Sequence, residues 1–216
     1  MRTAALLSGG GSTLQALIDA GIPDLDLVAV ISDREDAFGL ERARRAGIEA
    51  LHLPAPLPAD RAAYGRTLAD ALAARGVDLV LLAGFMRILD ADLVRAYAGR
   101  MLNIHPSLLP AFRGLHPHRQ ALSAGVQVHG STVHFVTEEL DGGPAVLQVE
   151  VPVLADDDEG TLEARVKEQE RMIYPVAASW FVSGRLALRG AQATLDGEPL
   201  TNPVAYPGDP RCGSAA

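Results

Sequence analysis

VAVI at residues 28–31 and LVLLA at residues 79–83 are unbroken apolar runs. A strand with one wet face alternates apolar and polar residues. A run with no polar position fits a strand covered on both faces, as in a parallel sheet between helix layers. Working outward, further apolar runs lie at Thr3–Leu7, Leu25–Ile31, Ile48–Leu53 and Met101–Ile104. Helical spacing fills the gaps, at Ser12–Ala20, Phe38–Ala46, Asp60–Ala74 and Ala91–Ala98. Such alternation predicts an open α/β sheet. Gly21, Gly47 and Gly76 each stand where a helix should stop, a common C-terminal signal.

After Pro106 the pattern changes. VQVHGSTVHFVTE and AVLQVEVPV predict longer strands separated by the turn LDGGP. A helix is expected from near Thr161 through RVKEQERMIYPVAASWF, kinked at Pro175, and RLALRG with Ala193–Leu195 predicts a hairpin. No internal repeat or linker divides the chain. The expectation is therefore one domain over 1–206, with a nucleotide-binding half over 1–100 and a catalytic half over 101–206. The stretch 207–216 is expected to be a disordered tail.

Hydrophobic residues make up 48% and charged residues 21%, the balance of a soluble globular protein. A formal charge of -8 argues against nucleic acid as the main partner, because phosphate backbones are neutralised by clustered Lys and Arg. The single cysteine, Cys212, excludes a disulfide framework and a thiolate metal cluster. The opening MRTAALLSGGGS is too short for a membrane span and lacks a signal-peptide pattern, so a cytoplasmic location is expected.

Strand, SGGGST and helix together place several backbone N–H groups at a helix N-terminus, where an anion can bind. The dinucleotide pattern fails, since its third glycine falls on Leu14, and a Walker loop fails because lysine is absent. Asp33 imitates the ribose-binding acid of a dinucleotide fold. A ligand-free tight turn and a monophosphate site both remain open.

MLNIHPSLLPAFRGLHPHRQAL holds the densest chemistry. Asn103 and His105 are two apart at the end of a predicted strand, so both side chains leave on the same side. Pro106 ends that strand, leaving the pair at its carboxyl edge, where open α/β sheets place ligands. An amide can donate to a developing oxyanion, and an imidazole can donate or move a proton. An edge asparagine beside a histidine bonded to backbone accounts for the same pattern. Asp141, in LDGGP, is either a turn aspartate bonding its own backbone or a carboxylate brought up to the histidine. His134, between Val133 and Phe135, fits a core histidine. His116 and His118 form an H-x-H without the carboxylate or cysteine partners of a metal site. His52 and His129 carry no pattern.

Taken together, ALLSGGGSTLQALI, AGFMRIL, LNIHPSLLP, HRQAL, VHGSTVHFVTEELDGGP, RVKEQERMIYP and YPVAASWF decide more than any one of them. In their order and spacing the chain resembles the folate-dependent formyltransferases that act on glycinamide ribonucleotide, across nearly its whole length. The resemblance implies a Rossmann-like, mostly parallel sheet with helices on both faces and a C-terminal antiparallel portion. It implies Asn103, His105 and Asp141 as the catalytic trio, with His134 secondary. The nucleotide phosphate would lie on the backbone of Gly11, Ser12 and Thr13 with Lys167 as a charged partner, and Glu170 would hold the glycinamide portion. Lys167 and Glu170 are three apart on a helix and share a face. Folate would lie along Met86, Arg87, Ile88 and Leu89, against Asn103 and Asp141, with Arg61 toward its glutamate tail. Thr13 and Asp33 stand where asparagine is common, and Asp33 receives no role.

The reaction so implied moves a formyl group from 10-formyltetrahydrofolate, a co-substrate, to the amine of glycinamide ribonucleotide in purine biosynthesis. It needs no metal, nucleic acid or membrane, and the enzyme would be a monomer or homodimer. Methionyl-tRNA formyltransferase and formyltetrahydrofolate deformylase share the chemistry, but each adds a domain that this chain is not expected to carry. The other alternative is a non-catalytic nucleotide-binding module, against which an intact trio argues.

Overall fold

The computed structural model describes residues 1–55 and 60–208. Strands β1 (Arg2–Leu7), β2 (Asp26–Ser32), β3 (Glu49–His52), β4 (Leu79–Leu82) and β5 (Met101–His105) run parallel. Between them come α1 (Ser12–Asp19), α2 (Phe38–Arg45), α3 (Arg61–Ala73) and α4 (Ala91–Ala96). The unbroken apolar runs have the predicted cause. In β1, Ala4 and Leu6 pack with Tyr64, Leu68 and Leu72 of α3, while Ala5 and Leu7 pack with Leu14 of α1 and Leu40 of α2. In β4, Val80 and Leu82 join the α3 and α4 side. Leu79 and Leu81 face a second core built on the long C-terminal helix.

The rest of the chain completes the sheet with a single reversed strand. After α5 (Pro117–Ala124) come β6 (Val128–Phe135) and β7 (Ala145–Pro152), then α6 (Glu159–Val182). The chain continues through β8 (Leu186–Arg189), β9 (Gln192–Leu195), β10 (Glu198–Pro199) and β11 (Val204–Tyr206). The main sheet has 8 strands in the order β11-β7-β6-β5-β4-β1-β2-β3, and β10-β9-β8 form a separate antiparallel sheet of 3. β6 is antiparallel to both β5 and β7, whereas β11 adds parallel to β7. The expected α/β class with an antiparallel C-terminal portion is what the chain adopts.

Four elements differ from the sequence reading. Helix α5, opened by His116 in the left-handed region with Pro117 in its first turn, was not expected. It is one short stretch whose only buried residues are Pro117, His118 and Ala121, too few for a visible periodicity. Strand β11, at the edge, has 3 residues and β10 has 2, too few for a visible period, and both were missed. Helix α6 starts at Glu159 rather than near Thr161, because Asp158 accepts from the Thr161 N–H while the Thr161 hydroxyl accepts from Asp158 N–H, a capping box. Pro175 lies inside α6, which continues to Val182. The expected tail falls from residue 209 onward, with Cys212, outside the described residues.

Two features fix β4, β5 and the loop that follows β5. Tyr174 of α6 is fully buried, and its hydroxyl lies 2.9 Å from the Leu82 carbonyl and 3.0 Å from that of Leu102. It thereby ties α6 to the last residue of β4 and the second residue of β5. The Thr132 hydroxyl of β6 donates to the Ser107 carbonyl at 2.6 Å and accepts from the Leu109 N–H at 3.0 Å. Gln148 of β7 donates to the Leu109 carbonyl at 2.8 Å, so the loop after β5 is laced to two strands.

Tyr174→Phe keeps the packed ring but removes the one hydroxyl hydrogen that the two carbonyls share. A buried acceptor left unmade costs about 1–3 kcal/mol. The expected result is a Tm lower by roughly 2–10 °C in calorimetry. An unchanged Tm would remove the hydroxyl from the account of how α6 is held.

Candidate active site

Asn103 lies on β5 opposite His134 of β6, and His105 lies opposite Thr132. His134 Nδ1 is 2.9 Å from the Phe135 carbonyl, which can only accept, so that nitrogen carries the hydrogen. Burial holds the imidazole pKa below its usual value, against the opposing pull of that carbonyl and of Asp141. The neutral ring therefore presents a bare Nε2, which accepts from Asn103 Nδ2 at 3.1 Å. This pairing turns the Asn103 amide so that its nitrogen side is defined.

Asp141 sits in the LDGGP turn with a φ of 49°, a left-handed conformation that aspartate tolerates better than most residues. Its Oδ2 accepts from the Gly114 N–H at 2.9 Å and lies 3.5 Å from His105 Nδ1. Its Oδ1 lies 3.8 Å from His134 Nε2. The carboxylate thus bonds the backbone of another loop rather than its own turn, and lies close to both histidines. Asn103, His134 and Asp141 line a cavity of about 300 Å³, together with Arg61, Arg87, Ile88 and Leu89. The far wall of that cavity is the segment from Val136 to Asp141.

His105 reaches Asp141 but does not itself line this cavity. Its Nε2 donates to the Phe112 carbonyl at 3.0 Å, with Phe112 at a φ of 55°. The imidazole thus lies between a carboxylate and a carbonyl, and its protonated form can donate to both.

A second cavity, of about 270 Å³, opens over the glycine turn. Gly11 has a φ of 69°, and a Cβ there would stand 2.7 Å from the Gly39 Cα. Glycine is demanded by both the turn and the contact with α2. Gly11, Ser12 and Thr13 line this cavity at the N-terminus of α1, and Lys167 and Glu170 of α6 line its other side. Lys167 Nζ bonds Glu163 Oε1 at 2.5 Å. Glu170 is buried, with Ser131 Oγ donating to its Oε1 at 3.4 Å. Burial pushes its pKa up to about 7, despite the opposing charge of Lys167.

The sequence-derived residues thus fall into two groups that meet at the end of β5: Asn103 lines the first cavity, while Ile104 and Pro106 line the second. Met86 lines the glycine-turn cavity and, with Arg87, Ile88 and Arg61, a further cavity beside Tyr64. Sequence reading missed Ser8 and His118, which line the same cavity. His118 Nδ1 lies 3.2 Å from Nε2 of the buried His129. Burial, and then the neighbouring His118, push His129 down to about 4. The only signal for this pair was the H-x-H of HPHRQAL, which the sequence reading weighed as a metal motif and set aside, and which says nothing of His129. Among the described residues no cluster of three or more His, Cys, Asp or Glu side chains could hold a metal ion. Nor is any described helix long and apolar enough to cross a membrane.

The comparisons with known proteins agree with this geometry. The pattern of the formyl transferase family matches residues 1–178. Phosphoribosylglycinamide formyltransferase of Escherichia coli is 52% identical over 212 residues, covering 97% of this chain and 100% of that protein. The Haemophilus influenzae enzyme of the same name is 43% identical over 92% of this chain and 95% of its own. Among solved structures, phosphoribosylglycinamide formyltransferase from Coxiella burnetii superposes with a TM-score of 0.89 at 42% identity, covering 96% of this chain and 99% of that one. The chain belongs to the formyl transferase family, among the phosphoribosylglycinamide formyltransferases.

Proposed function

We propose that this enzyme transfers the formyl group of 10-formyltetrahydrofolate to the amine of glycinamide ribonucleotide in purine biosynthesis. The observation that carries the reading is the meeting of two cavities at one strand end, with Asn103 lining one and Ile104 and Pro106 the other. A donor in the first and an acceptor in the second would bring formyl carbon and amine together beside Asn103, His105 and Asp141.

The nucleotide phosphate takes the backbone N–H groups of Gly11, Ser12 and Thr13, a small anion site that a net acidic protein can build without a basic surface. Lys167 supplies charge and Glu170 accepts from the glycinamide portion. Folate lies against Arg87, Ile88, Leu89 and Met86, with Arg61 toward its tail. The neutral amine attacks the formyl carbon, and the carbonyl oxygen becomes an oxyanion. Asn103 meets it with the amide N–H that His134 leaves free. His105 donates once its Nε2–H exchanges the Phe112 carbonyl for the oxyanion. Asp141 stabilises the charged imidazole, and the proton lost by the amine reaches the departing folate nitrogen through His105 or a bridging water.

Folate release should require the nucleotide in a spectrophotometric assay. Release without it would instead identify a deformylase. His105→Ala should lower kcat by about 10²–10³, the usual cost of one oxyanion donor, with an unchanged unfolding profile. Wild-type turnover in that variant would sink its assignment.

Glu170 makes a pH-dependent prediction with a definite sign. Its pKa is about 7 when folded, above the ordinary 4.5. Between those values the folded chain holds a proton that the unfolded chain has lost, so stability falls as pH rises through this window. Glu170→Gln should therefore stabilise the ligand-free protein at pH ~8 by roughly 1–3 kcal/mol. The gain should fade toward pH ~5, while the KM for nucleotide rises. Equal Tm differences at both pH values would contradict the buried-carboxyl account.

A further inference from the structure

Asp33 stands just past the end of β2 with its side chain 7% exposed, and it lines neither of the two cavities. Each of its oxygens nevertheless holds a segment that does. Ser8, at the start of the glycine turn, donates from Oγ to Asp33 Oδ1 at 2.6 Å. The same hydroxyl accepts from the Met86 N–H at 2.9 Å, and Ser8 N–H donates to the Gly84 carbonyl at 2.9 Å. On the other oxygen, Arg87 Nε donates to Asp33 Oδ2 at 2.7 Å. Ser8 and Met86 line the glycine-turn cavity, and Arg87 lines the other.

The surroundings make this contact more than a surface ion pair. The Arg87 guanidinium lies 5.6 Å from the ring centroid of Tyr64, a buried residue of α3. Burial first, and then the Asp33 charge, push the Tyr64 hydroxyl up to about 12, with Arg87 pulling the other way. Both charges therefore act at one half-enclosed place. A hydrogen bond with both partners charged is about twice as strong as a neutral one. The carboxylate also offers an acceptor on each of two oxygens, whereas an asparagine would offer only one. Among the described residues Nε is the only guanidinium nitrogen of Arg87 with a hydrogen-bond partner, which leaves its η nitrogens for an acceptor in the cavity.

We propose that Asp33 is a positioning residue of the transfer reaction, whose single carboxylate holds the nucleotide turn and the folate-pocket loop in register. The inference rests on the function proposed above for the identity of the two occupants. Asp33 touches neither substrate. It acts through Ser8 on one side and through Arg87 on the other.

Asp33→Asn keeps an acceptor for Ser8 and removes the charge opposite Arg87. In steady-state kinetics with both substrates varied, it should raise the KM for 10-formyltetrahydrofolate by about 10-fold, the scale of one charged hydrogen bond, with kcat little changed. In an Arg87→Gln background the same substitution should add nothing further, because its partner has already gone. Asp33→Glu should recover part of the loss, and it carries the cycle if the asparagine variant fails to fold. An unchanged folate KM, or equal fold-changes in both backgrounds, would overturn the proposal. Wild-type folate release is measured first. If it is absent, the proposed function fails, and the same cycle read from tetrahydrofolate binding by calorimetry still decides the role of Asp33.

Discussion

The antiparallel pairing of β6 against β5 is the constraint on which the site depends. It sets Asn103 opposite His134 and His105 opposite Thr132. A slip of one residue would turn every one of these side chains to the other face. The register is held from both sides. Apolar Leu102, Ile104, Val133 and Phe135 are buried in the core beneath α6. Thr132 secures the loop that leaves β5. The pairing reverses direction at the point where the parallel half of the sheet ends. β6 ends beside the start of β5, and the loop over 136–144 then folds back until Asp141 lies near His105, so pairing and loop together assemble residues far apart in sequence.

Polar groups around that assembly are ordered by burial as much as by charge. His134 is kept neutral because burial disfavours its charged form, and only a neutral ring can accept from Asn103. His105 differs, with one nitrogen toward a carboxylate and the other toward a carbonyl. Two histidines near one aspartate thus take different tasks: one fixes the direction of an amide, and the other can carry charge. Glu170 shows what such arrangements cost. A carboxyl buried beside the glycine-turn cavity is disfavoured in its charged form, so stability is expected to fall as pH rises toward neutral.

Much of this was legible in the sequence because it rests on short-range physics. VAVI and LVLLA reported strands covered on both faces, and Gly21, Gly47 and Gly76 reported helix ends, where all three adopt positive φ. The spacing of Asn103 and His105 placed both on one strand. The contacts that crossed the chain were not legible. His134 looked like a core histidine because a strand with apolar neighbours is what both a core and a site wall present. Asp33 looked like the vestige of a dinucleotide motif, since nothing local to it announces Ser8 or Arg87. Helix α5 hid because its inward face is made of a proline, a histidine and an alanine. Its His118 serves a cavity rather than a core.

The two cavities explain why these long-range contacts are polar. An apolar seam between the glycine turn and the 84–90 loop would hold them together without fixing their angle. Hydrogen bonds from Ser8 to Asp33, from Met86 to Ser8 and from Arg87 to Asp33 set direction as well as distance. The same holds at the strand end, where Asn103 bonds His134 and the Gly114 N–H bonds Asp141, while the packing lies beneath them. Apolar burial supplies the cohesion of this fold. At the edge where two small molecules must meet within bonding distance, orientation is left to a few buried polar groups, each with a partner that a substitution can remove.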